Sequence, residues 1–134
     1  MMDKTTSVLW KRIDCNEGLG HTAFFKTHEG FEIHSTEICS RGNKTWSSQF
    51  KVELDNDWNF GSLYGRSVNK SKIQELTLSR SNEGVWHKNG KRASHLDGCL
   101  TIDIVCVPFT NTLALRSIPV SSEEATQVSV AWIK

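Results

Sequence analysis

Residues 96–116 read LDGCLTIDIVCVPFTNTLALR, and the fold is decided in this stretch. Asp97-Gly98 is a turn dipeptide, after which Leu100, Ile102, Ile104 and Cys106 alternate with Cys99, Thr101, Asp103, Val105 and Val107. That two-residue period belongs to a strand with two unlike faces. Pro108 ends the strand, because it has no N–H to donate to a ladder. Leu113 to Val120 is a further strand candidate.

The same period recurs upstream. In Trp46 to Leu54 the large apolar residues occupy every even position except Ser48, with polar residues between them. Asp55-Asn56-Asp57 breaks the run as a turn does. Trp58, Phe60 and Tyr64 then continue an even-numbered face, interrupted by Gly61 and Gly65, and glycine inside a strand marks a bulge or bend. Leu76 to Arg80 fits a helix or a strand. The turn signals at Asn82-Glu83-Gly84 and Asn89-Gly90 lie close enough together to favour a strand. Asn-Gly supplies the two positive-φ residues of a type I′ hairpin turn. Ser7 to Ile13, Ala23 to Ile38 and Val128 to Ile133 complete the set, with Ser121 to Gln127 as a loop. The pattern predicts about nine to eleven strands, no helix, and a sheet that closes or rolls on itself.

Composition narrows the class. A chain of 134 residues fits one domain, 1–134, and buries roughly two-thirds of its unfolded surface. Sixteen Lys and Arg against fifteen Asp and Glu leave a net charge of +1, and no basic run favours nucleic acid as a partner. The N-terminal residues MMDKTTSVLWKRID have no apolar core of a signal peptide. The longest apolar stretch, Ile102 to Val107, is broken by Asp103 and is too short to span a bilayer. A cytoplasmic location is therefore expected, with Cys15, Cys39, Cys99 and Cys106 reduced and serving as small core residues.

Signatures of catalysis and cofactors are sparse. Gly18-Leu19-Gly20 lacks the third glycine and the following helix of a phosphate-binding loop, and no G-x-S-x-G is present. His21, His28, His34, His87 and His95 are scattered, with no zinc-ligand spacing, so neither a metal nor a cofactor is expected. Asp103 is the conspicuous polar residue in an apolar strand, where an unpaired charge is costly. It is read as structural, held by backbone N–H groups or by an arginine such as Arg116; the rival reading is a ligand-contacting or catalytic carboxylate. Trp46, Trp58, Tyr64 and Trp86 lie on strand-like segments and either fill the core or face a ligand, since these rings combine apolar area with a polar tip.

The succession Leu96-Asp97-Gly98-Cys99, Thr101-Ile102-Asp103-Ile104 and Pro108-Phe109-Thr110-Asn111-Thr112-Leu113 resembles the motif string of a bacterial family, the putative glycolipid-binding proteins. That family carries L-D-G-C, D-V-D-L and T-P-F-T-N-T-L-P-I-R-R-L in the same order. Trp10, Val52 to Trp58, Leu76 through Trp86 to Gly90, and Val128 to Ile133 extend the likeness over nearly the whole chain. Thr101, Ala114 and Ser117 depart from it, and the chain stops at Lys134, where family members usually continue, so the domain reads as shortened at its C-terminus.

The resemblance implies a strongly curved antiparallel sheet, a spiral β-roll or half-open barrel. It also implies non-catalytic binding of a glycolipid or similar amphiphile in the concavity. Trp58, Tyr64, Trp86, Asp103, Asn111 and Arg116 are the candidate ligand-binding residues. The alternatives are an enzyme acting on a lipid or sugar through Asp103, and a protein-interaction module that forms a homodimer through an open sheet edge.

Overall fold

The computed structural model describes residues 3–11, 17–70, 72–104, 113 and 130–133. Eight consecutive strands form one antiparallel meander: β1 (Asp3–Lys11), β2 (Glu17–Lys26), β3 (Gly30–Arg41), β4 (Lys44–Asp55), β5 (Phe60–Asn69), β6 (Lys72–Arg80), β7 (Trp86–Lys88) and β8 (Lys91–Arg92). A 3₁₀ turn, Ser94–Leu96, leads to β9 (Thr101–Ile104), which pairs with β10 (Val130–Ile133). The fold is thus all-β, a curled and half-open antiparallel sheet. Within the described residues its edges, β1 and β8, do not pair with each other.

The ladder of β9 and β10 is parallel, an addition to the antiparallel sheet expected from the sequence. Parallel neighbours need a crossover of a dozen or more residues, and residues 105–129 supply that length. The strand expected at Leu113 to Val120 lies, apart from the buried Leu113, outside the described residues.

Strand pairing arranges the inner face in cross-strand rows. Phe24, Ile33, Val52, Leu63 and Leu78 stand opposite one another on β2 to β6. With Leu54, Phe60, Trp86, Ala93, Ile102, Ile104, Leu113 and Ala131 most of this row forms one core. Ile33 of β3 and Trp86 of β7, four strands apart in one sheet, share that core, so the sheet curls round it; the separate ladder of β9 and β10 adds Ile102, Ile104 and Ala131. Trp86 is fully buried, stacks on Phe60 at 5.3 Å, and donates its indole N–H to the Cys99 carbonyl at 3.1 Å.

A bulge changes the parity of β5. Glu53 pairs with Ser62 but Leu54 pairs with Phe60, which leaves Gly61 as the extra residue. Phe60 therefore faces the core together with Leu63, Gly65 and Ser67, and Tyr64 turns to the outer face. The even-numbered face expected for Phe60 and Tyr64 is broken here, since a one-residue slip moves every later side chain across the sheet. Elsewhere the turn chemistry acts as read. Asn89 and Gly90 have φ of 51° and 81° and join β7 to β8 in a two-residue hairpin. Leu76 to Arg80 lies in β6.

Candidate functional site

Toward one end of the sheet the inner face stops being apolar. The next row is Thr22, Ser35, Phe50, Gly65 and Leu76, and the one beyond is Trp10, Gly20, Glu37, Ser48, Ser67 and Gln74. Thr22, Ser35, Glu37 and Ser48 are each no more than 5% exposed. Burying hydroxyls and a carboxylate is costly unless they find partners. The Thr22 and Ser35 hydroxyls lie 3.0 Å apart, Ser48 donates to Ser67 at 3.4 Å, and Glu37 is engaged by its surroundings.

These rows wall a cavity of about 340 Å³. Phe50, Gly65, Leu76 and Ile104 make its apolar side; Glu37, Ser48, Ser67 and Gln74 supply polar groups from the inner face, and Arg66, Glu75, Lys88 and Asn89 complete the lining. Two glycines shape the region. A Cβ on Gly65 would stand 2.9 Å from the Phe50 ring, and one on Gly20 would stand 2.1 Å from the Trp10 indole. The Trp10 ring thus lies across Gly20, in the same row as Glu37, and its buried Nε1–H finds no acceptor among the described residues.

A second hollow, of about 370 Å³, lies on the outer face between Lys51, Glu53, Ser62, Tyr64, Thr77 and His87. Its charges are already matched. Lys51 bridges Glu32 at 3.5 Å and Glu53 at 3.4 Å, and Ser62 donates to Glu53 at 2.9 Å. Partial burial of Glu32 works against its charge, but His34 at 2.8 Å and Lys51 outweigh it and hold the carboxyl below its ordinary range. Tyr64 is 43% exposed and donates to Glu75 at 3.2 Å; desolvation, then that carboxylate, raise its phenol above the ordinary value. Groups satisfied in this way have little left for a ligand.

Of the residues singled out in the sequence, Trp58, Tyr64 and Trp86 lie in three different places. Trp58 packs against Phe31 and Phe24, at 4.9 and 6.3 Å between ring centroids, with its backbone at φ 66°. Tyr64 is on the outer face, and Trp86 is in the core. Asp103 is half-buried in β9 and engaged by its surroundings. Strand alternation sets it on the side opposite Ile102 and Ile104, and Ile104 is the β9 residue that reaches the inner cavity. Asn111 and Arg116 lie outside the described residues, as do Cys15 and Cys106. Cys39 and Cys99 are free thiols. Among the described residues no group of three His, Cys, Asp or Glu could hold a metal, and no helix is long and apolar enough to cross a membrane.

Sequence reading missed Glu37, Ser48 and Ser67. A signal for Ser48 was present: it is the exception in the even-numbered apolar face of Trp46 to Leu54. A small polar residue at a core position is where a cavity can open.

A family model described as "Putative glycolipid-binding" matches residues 7–134. Among solved structures, a DUF1089 family protein from Pseudomonas aeruginosa superposes with a TM-score of 0.73 at 21% identity, over 96% of this chain and 68% of that one. That likeness is one of fold. No curated protein matches.

Proposed function

The chain belongs to the putative glycolipid-binding family, and from that premise we propose that it holds the head group and proximal chain of a glycolipid or similar amphiphile in the inner cavity. One observation carries the reading: the wall of a single 340 Å³ cavity changes from Phe50, Leu76 and Ile104 to Glu37, Ser48 and Ser67. An amphiphile needs this division. Its hydroxyls can donate to the Glu37 carboxylate and exchange hydrogen bonds with the serines, while its chain covers the apolar side. The volume is near the lower end of the roughly 300–1,000 Å³ range of small-molecule sites, which suits a head group and the first part of a chain.

The test is titration of the full chain with dodecyl maltoside below its micellar concentration, followed by calorimetry and native mass spectrometry. A saturable one-to-one complex is expected, weakened at least tenfold by Ser67→Leu, which fills the polar side. A protein that retains neither this probe nor any lipid from its expression host overturns the reading. So does a Ser67→Leu variant that binds as the parent does.

A further inference from the structure

The outer face at the cavity end of the sheet carries an apolar row. Leu19, Ile38, Ser47, Val68 and Ile73 stand directly opposite one another on β2 to β6. At about 4.8 Å between strands the row is roughly 19 Å long. Leu19 is 48% exposed, and Ile38 and Ile73 are each 57% exposed. Leu9 of β1, two residues along from the partner of Leu19, adds a fourth exposed apolar side chain to the patch.

The strand ends beside this row are basic. β1 ends on Lys11, β3 ends on Arg41, β4 begins at Lys44, and Lys70 and Lys72 flank the turn from β5 to β6. All five are exposed, and none forms an ion pair with a described residue. Glu17, the first residue of β2, is the one exposed acid among the described residues of these strand ends. At the opposite end Glu29 and Asp57 lie on the turns that follow β2 and β4 and Asp55 closes β4, with Lys26 at the end of β2. Five exposed cations therefore stand at the end of the sheet where Leu19, Ile38 and Ile73 are exposed.

We propose that this end of the sheet docks on an anionic lipid bilayer. Leu19, Ile38 and Ile73 enter the boundary between head groups and acyl chains, and the five cations meet lipid phosphates. Exposed apolar residues bordered by Lys and Arg are the composition of an interfacial membrane-binding surface. Charge complementarity selects the anionic bilayer over a second copy of the chain, which would bring five like charges against five. Docking would set the membrane beside the cavity, because Glu37, Ser67 and Gln74 adjoin Ile38, Val68 and Ile73 in sequence and face the other way. It does not depend on the cavity being occupied.

Co-sedimentation of the full chain with vesicles tests the proposal, comparing phosphatidylcholine alone with phosphatidylcholine containing phosphatidylglycerol. Binding is expected only to the anionic vesicles, and lost in ~1 M salt, where the screening length is about 3 Å. Each basic residue near such a surface is worth about fivefold in affinity, so Lys70→Glu with Lys72→Glu lowers binding by about 25-fold or more. Ile38→Ser with Ile73→Ser lowers it by about tenfold through lost apolar burial. All four positions are exposed, and circular dichroism checks that the variants keep the parent fold. The proposal is overturned if the parent stays in solution with anionic vesicles at low salt. It is equally overturned if both double variants bind undiminished, or if the apolar row drives self-association that Ile38→Ser abolishes while vesicles capture nothing.

Discussion

The Phe50 ring lies directly over Gly65 on the neighbouring strand, so close that a Cβ there would stand 2.9 Å from ring atoms Cδ1 and Cε1. The missing side chain gives the ring its place and leaves the cavity its depth. Gly65→Ala forces Phe50 aside, and overpacking of this kind costs typically about 1–3 kcal/mol. The expected outcome is a lower urea midpoint together with weaker retention of dodecyl maltoside. Loss of stability with full probe binding would separate Gly65 from the cavity.

Trp86 links three parts of the core. It is buried in β7, stacks on Phe60 of β5, and donates to the Cys99 carbonyl beyond the 3₁₀ turn. Trp86→Ala should cost about 3–5 kcal/mol, the usual range for deleting a buried large aromatic. Trp86→Phe keeps the stacking and loses the donor, so it should cost less. The Cys99 carbonyl retains a second donor, Arg80 Nε at 3.3 Å, which limits the penalty. Denaturant unfolding followed by circular dichroism ranks the two variants.

Trp58 has φ at 66°, an unfavourable backbone region for a bulky L residue. Its N–H donates to the Asp55 carbonyl at 3.1 Å, and its ring packs on Phe31, so contacts hold a strained backbone. Trp58→Ala loses the ring and keeps the strain, whereas Trp58→Gly loses both. The glycine variant should be the more stable by about 1 kcal/mol, the reverse of the order expected in regular structure. Thermal unfolding of the pair measures the difference.

Asp55 closes the turn from β4 to β5. Its Oδ1 accepts from the backbone N–H groups of Asp57 and Asn59, both at 2.9 Å, and its Oδ2 accepts from Asn59 Nδ2 at 3.0 Å. Desolvation raises its pKa, but these donors prevail and hold the carboxyl below the usual carboxylate range. A carboxyl depressed in the folded state contributes stability that is present above its unfolded pKa and is lost as pH falls through the folded one. Asp55→Asn should therefore flatten the acid limb of the stability profile while changing stability little below the folded pKa. Urea midpoints measured from neutral pH down into the acid range check the prediction.

Strand identity was legible in the sequence because a strand imposes its period locally. Trp46 to Leu54, Leu76 to Arg80 and the Asn89-Gly90 hairpin all carry their structure in adjacent residues, and the resemblance around Leu96 to Arg116 carried the half-open sheet. The candidate site was not local in this sense. Tyr64 was read onto the face of Phe60, yet one extra residue at Gly61 turned it outward, and a bulge sets parity only through pairing with β4. Glu37, Ser48 and Ser67 come from three strands and meet because long-range registers align them. By itself the sequence determined that this chain folds as β-structure, through alternation and turn chemistry acting over a few residues. The tertiary structure alone decided which polar residues share a buried wall, since cross-strand register depends on pairing between segments far apart in the chain.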